Sequence, residues 1–252
     1  SYLTRDGLIQ FMDFLRNLYS STARGNILYT VKDFLQYCYD ENIIQDNIHH
    51  IIKSIYTNPN ETLPSVYTAK EIKAILQSVN KNTAEGKKDY AILVLAAMLG
   101  IRASDIISIK LDDIKWSRNV LEFHQRKTGF FVQLPLSENI QYILMDYIKN
   151  SRPDTEYKSL FIRSRAPVVP YADSATIFNI VSKYIRLAGV KIGERNHGPH
   201  SLRHSMASGM LENHATLPVI AAALGHNNTK NTSRYLKIDI ELLRSIALEV
   251  PQ

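Results

Sequence analysis

His200 and Arg203 stand three residues apart in Gly198-Pro199-His200-Ser201-Leu202-Arg203-His204-Ser205, a spacing that puts both on one helix face. His226 follows in Leu224-Gly225-His226, and Tyr235 comes nine residues after it. These residue types suit attack on a phosphodiester. Arginine forks onto phosphate oxygens, histidine moves protons near neutral pH, and tyrosine can serve as a covalent nucleophile. Two upstream segments offer the remaining cations: Arg102 in Gly100-Ile101-Arg102-Ala103-Ser104-Asp105, and Lys127 in Gln125-Arg126-Lys127-Thr128-Gly129. Asp105 brings a carboxylate that could orient His200 or Arg102.

The elements that must position these groups can be read from periodicity. Residues 6–55 read as helices, with Leu8, Phe11, Met12, Leu15 and Leu18, then Ile27, Val31, Phe34, Leu35 and Cys38, at helical spacing. The proline-bearing polar stretch 58–65 reads as a linker. A capping box, Thr68 with Glu71, starts the next helix, with Tyr67 and Ile72 as its hydrophobic staple and Ile72, Ile75, Leu76 and Val79 as its buried stripe. Residues 90–99 are almost continuously apolar, which predicts a helix buried on most sides, stopped at Gly100 and delivering Arg102 from a rigid mount. Residues 114–135 alternate as a β-hairpin does, with Lys127 at its polar turn. Helices are expected over 137–150 and 174–188, with an irregular stretch between them. Residues 239–249 form a short amphipathic stretch. Trp116 and most of the tyrosines read as core or interface.

Composition narrows the class. The 252 residues carry a net charge of +6, with a pI of about 9.2, which suits a polyanionic partner. The single cysteine, Cys38, excludes an internal disulfide framework, points to a reducing compartment, and reads as a small buried hydrophobe. No apolar run reaches membrane-spanning length, about 18 residues, so no membrane partner is expected. The opening residues are not a signal peptide, and without a Met at its first position the chain is readable as a fragment of something longer. His197, His200 and His204 lack a nearby cysteine, so a zinc site is not expected. His204 reads as buried and hydrogen-bonded, His214 as a surface residue.

Taken in order, "GIRASDI", "QRKTGFFVQLPL", "HSLRHSMAS", "LGHNN" and "TSRY" resemble the boxes of the tyrosine recombinases, the lambda-integrase family, across residues 66–248. The resemblance implies a mainly α fold with the architecture of the DNA breaking-rejoining enzymes. That is a two-domain DNA clamp: a helical core-binding domain over 1–57, minimal or trimmed, the linker 58–65, and a catalytic domain over 66–252 with a small antiparallel β-sheet. Arg102 and Arg203 then bind the non-bridging phosphate oxygens, and Tyr235 attacks phosphorus. His200 is the expected general base and Lys127 the general acid for the leaving 5′ oxygen. His226 hydrogen-bonds a phosphate oxygen, and Asp105 supports the set. The implied product is a 3′-phosphotyrosine link with a free 5′-hydroxyl, formed without ATP, metal or other cofactor.

The expected partner is double-stranded DNA with specific recombination sites, bound by a homotetramer linked through the C-terminal segment and working through a Holliday junction. An accessory DNA-bending protein is a further candidate partner, and a cytoplasmic, nucleoid-associated location is expected. An integrase or transposase of a mobile element is the preferred role. The alternatives are a Xer-like chromosome or plasmid dimer resolvase, a type IB topoisomerase-like enzyme, and a non-catalytic DNA-binding regulator.

Overall fold

Thr4 opens the first helix of the structure, a computed structural model that describes residues 3–52, 65–193 and 195–225. Its hydroxyl accepts the Gly7 N–H at 3.2 Å and caps α1 (Arg5–Leu18). Ser20 does the same for α2 (Ser21–Asp40), accepting from Ala23 at 3.4 Å. Leu8 and Leu15 of α1 and Leu28 and Leu35 of α2 close a small core with Ile48 and Ile52. The members of each helix pair are seven residues apart, so the two helices share a narrow seam. Phe11, Met12, Ile27 and Val31 flank it half-buried. The expected stripe is too wide at two places: Leu18 and Phe34 are 59% and 55% exposed, because both point away from that seam. The helical reading also runs too far. After Asp40 the chain makes only one 3-10 turn, His49–Ile51, before the described segment ends at Ile52. Cys38 is buried and free.

The chain divides into two compact units, Ser1–Thr62 and Leu63–Gln252. Most of the expected linker lies outside the described residues, as do His226, Tyr235 and the amphipathic stretch 239–249. The second unit contains α3 (Ala69–Gln77), α4 (Ala84–Met98), α5 (Ala103–Ile106), α6 (Glu138–Asn150), α7 (Ala175–Leu187), α8 (Pro199–Glu212) and α9 (Leu217–Leu224). The short helix α9 was not singled out by periodicity, because its run is apolar on nearly every position.

Helix α4 is the axle of this unit. Contacts from α3, α5, α6, α7 and α8 surround it, and Ala91 through Ala96 are all buried, as its continuous apolar run demands. Two charged residues share that burial, each with a polar partner that offsets part of the desolvation cost. Lys88 Nζ reaches Ser164 Oγ at 2.8 Å, and Asp89 accepts from the Tyr184 hydroxyl at 2.9 Å and from Lys183 Nζ at 3.3 Å. Against this axle lie the Ile75, Leu76 and Val79 stripe and the α6 face of Ile140, Ile143, Leu144 and Tyr147, whose ring stacks on Phe161.

The hairpin pairs β2 (Val120–His124) with β3 (Phe131–Pro135), in the register Leu121 with Leu134 and Phe123 with Val132. Those four residues are buried and their neighbours are not, the alternation of a sheet with one face on a core. A two-residue strand, β1 (Ile114–Lys115), adds to β2 and makes the sheet three-stranded and antiparallel. It is too short to carry a period-2 signal. Trp116 packs partly buried on the core. Tyr29, Tyr37 and Tyr142 are exposed and lie outside the core. Among the described residues no helix is long and apolar enough to cross a membrane.

Candidate active site

Gly100 ends α4 in the left-handed region, at φ +60, and a β-carbon there would meet Leu224 and Met206 side-chain atoms at 3.3 Å. That turn lets Ile101 sink into the core and places Arg102 at the N-cap of α5. Arg102 Nη1 lies 3.8 Å from Asp105 Oδ2. Both atoms are buried, and neither has a hydrogen-bond partner. A buried guanidinium N–H in that condition favours any oxyanion within reach.

Asp105 is itself wholly buried. Its other oxygen accepts the backbone N–H of Arg126 at 2.9 Å. Burial pushes its carboxyl above the usual carboxylate range, against that hydrogen bond and the charges of Arg102, Arg203 and Arg126. Of the two roles raised from sequence for this residue, the geometry has the Arg102 contact and adds an unforeseen one, a tie to the loop that carries Lys127.

Pro199 occupies the first turn of α8, where its missing N–H costs nothing. His200, next to it, is exposed, while Arg203 one turn on is buried. The Arg203 guanidinium donates to the carbonyls of Gly100 at 2.5 Å and Leu224 at 2.6 Å. It therefore joins the turn before Arg102 to the end of α9, one residue ahead of Gly225 and two ahead of His226. The rings of His200 and His204 meet edge to face, 4.3 Å between centroids, with His204 buried. His214 is exposed, as expected. Among the described residues no group of three or more His, Cys, Asp or Glu side chains could hold a metal ion.

One open cavity of about 480 Å³ is lined by Arg102, Lys127, His200 and Arg203 together, with Asp173, Ser174, Ala175 and Phe178 on another wall. Four of the seven residues singled out from sequence thus meet at one surface, delivered by the α4–α5 turn, the hairpin loop and α8. Asp105 sits behind it. His226 and Tyr235 lie outside the described residues. Sequence alone places a helix over 174–188 but does not show that its N-terminus walls the cavity. Its first turn carries no acidic residue of its own, but the carboxylate just ahead of it lines the same wall and offsets the partial positive charge of the helix end. Asp173 caps it, accepting the Ala175 N–H at 3.0 Å. A local cap reads the same in sequence wherever the helix points. Two guanidinium groups, an imidazole and an ammonium group thus line one opening, a set of side chains suited to a phosphate.

Helix α8 is also laced to the start of the second unit. Ser205 Oγ accepts the Tyr67 N–H at 2.7 Å, and the Tyr67 hydroxyl donates to the carbonyl of Asn196 at 2.9 Å. Arg195 clamps Glu71 bidentately at 2.8 and 3.1 Å and lies over the Tyr67 ring. The Arg195 hydrogen bond holds the Glu71 carboxyl down at about 2. Glu71 thereby serves the Thr68 capping box and the approach to α8 at once.

The sequence model of the phage integrase family matches residues 65–241. The putative integrase/recombinase y4gC of Sinorhizobium fredii is 35% identical over 191 residues, which span 75% of this chain and 97% of that protein. Tyrosine recombinase XerA of Pyrococcus furiosus is 28% identical over 184 residues, 73% of this chain and 61% of XerA. The chain thus spans nearly all of the first relative and under two thirds of the second. In three dimensions a lambda integrase dimer bound to a COC′ core site superposes with a TM-score of 0.74 at 18% identity, covering 99% of this chain and 83% of that one. At that identity the likeness is one of fold. The family match over most of the chain and the 35% identity to a relative aligned along three quarters of it carry the conclusion: the chain belongs to the phage integrase family and is a tyrosine recombinase, a DNA strand-transferring enzyme.

Proposed function

We propose that this chain cleaves and rejoins double-stranded DNA at specific sites through a covalent 3′-phosphotyrosine intermediate on Tyr235. The observation that carries this reading is the convergence of Arg102, Lys127, His200 and Arg203 on one cavity. In the proposed step the Tyr235 oxygen bonds to phosphorus as its proton passes to His200. The bond from phosphorus to the 5′ oxygen breaks, and that oxygen takes a proton from Lys127. Arg102 and Arg203, with His226, hold the non-bridging oxygens as charge builds on them. The phosphotyrosine retains the bond energy, so the reverse attack by a 5′-hydroxyl reseals the strand without ATP.

Residues 1–57 supply further DNA contacts in this reading. Protomers assemble as a tetramer through residues 239–249 and exchange strands in pairs through a Holliday junction, with or without an accessory DNA-bending protein. The role is integration or transposition of a mobile element. Kinship to XerA supports a second reading, dimer resolution. Sequencing DNA crosslinked to the protein in cells separates the two: mobile-element ends support the first, a single chromosomal or plasmid resolution site the second.

The chemistry is tested with a nicked cognate site and a denaturing gel. Wild-type protein gives a covalent adduct, and Tyr235→Phe binds the site yet gives none. An adduct that survives the substitution assigns the nucleophile elsewhere. Rapid relaxation of a supercoiled plasmid lacking any recombination site would instead favour a topoisomerase-like enzyme.

A further inference from the structure

We propose that Gln125 is a positioning residue that registers the Lys127 loop against the wall holding Arg203; this rests on Lys127 acting as the general acid. Gln125 is only 3% exposed at the stem of a loop whose next five residues are exposed. Its carboxamide Nε2 donates to the Leu224 carbonyl at 3.1 Å, and its Oε1 accepts from Thr128 Oγ1 at 2.8 Å. Its backbone closes the same loop, donating to the Phe130 carbonyl at 2.9 Å and accepting from the Gly129 N–H at 2.8 Å. The carbonyl that Gln125 grips is the one that also accepts from Arg203 Nη2. One backbone oxygen therefore joins the lysine loop to a phosphate-binding arginine.

Gly225 supplies independent support. It lies in the left-handed region at φ +59, and a β-carbon on it would sit 2.2 Å from Gln125 Nε2. The turn that leads into His226 is thus closely packed on the carboxamide. Lysine is a long, flexible point charge, so the position of its ammonium group depends on where the loop stem is fixed. A misplacement of about 1 Å at a reacting group can cost about 10²-fold in rate.

The test compares adduct formation by the full chain on a cognate site carrying the natural 5′ oxygen and on one carrying a 5′-bridging sulfur, a leaving group that needs no acid. On the oxygen substrate Gln125→Met, which keeps volume and loses both hydrogen bonds, is expected to slow cleavage by about 10–100-fold. DNA affinity should not change. On the sulfur substrate it should match wild type, as Lys127→Ala should. Adding Gln125→Met to Lys127→Ala should cause no further loss on the oxygen substrate. Thr128→Val, at an exposed position outside the core, is expected to give a smaller defect with the same rescue.

Equal losses on both substrates, or a wild-type rate on oxygen, would overturn the role given to Gln125. The two readings fail separately. A Lys127→Ala protein that sulfur does not rescue removes the acid assignment and Gln125 with it, whereas a rescued Lys127→Ala beside an unrescued Gln125→Met removes Gln125 alone.

Discussion

Asp105 shows how much one buried carboxylate can organise. It faces the Arg102 guanidinium with one oxygen and the Arg126 backbone with the other, so a cation and a loop share one anchor. Asp105→Ala leaves the half-buried Arg102 guanidinium without its carboxylate and should lower stability by about 1–3 kcal/mol, read from urea unfolding. Asp105→Asn, which keeps an acceptor for Arg126, should lose less. Equal losses would place the whole effect in the charge. Arg102→Lys keeps the charge and loses the planar fork. It should slow adduct formation by about 10²–10³-fold, the cost of one preorganised transition-state donor, with binding to the site retained. A near-wild-type rate would remove Arg102 from the phosphate.

At the scale of elements, α8 gains its orientation from both sides. Arg203 fixes it to the α4–α5 turn and to α9, while Ser205, Asn196 and Arg195 fix it to Tyr67 and Glu71. The Glu71–Arg195 pair gives this lacing a pH dependence. Because the folded carboxyl is held at about 2, below its ordinary 4.5, its contribution is present above the unfolded value and is lost as pH falls through the interval between them. Glu71→Gln should therefore be less stable than wild type at neutral pH, and the two unfolding curves should converge as pH drops from 4.5 towards 2. A gap that stays constant over that range would mean the pair adds nothing beyond the capping bond to Thr68.

The whole molecule carries a +6 charge and two units with separate cores. Lysines and arginines on phosphates release counterions, so affinity for DNA should fall linearly in log–log terms with salt. About 6–10 phosphate contacts would cost about 10³–10⁵ in affinity between about 50 and 200 mM salt. A flat response in a filter-binding or anisotropy titration would argue that the charge serves solubility instead.

Much of the fold, and the family to which the chain belongs, is legible in the linear pattern. Ordered boxes of arginine, lysine, histidine and tyrosine survive as a linear pattern because each is set by local types and spacing. The Thr68–Glu71 capping box, the buried α4 run and the alternating Leu121, Phe123, Val132 and Leu134 are likewise local, and all are in the fold. Which groups meet is a matter of long-range packing. That Gln125 and Arg203 grip one carbonyl, that Asp105 holds the Arg126 backbone, and that the α7 N-terminus walls the cavity depends on contacts across 21 to 99 positions of chain. The outward set of Leu18 and Phe34 follows from the same cause: periodicity says that a helix has an apolar face, but the width of that face is fixed by the neighbour packed against it.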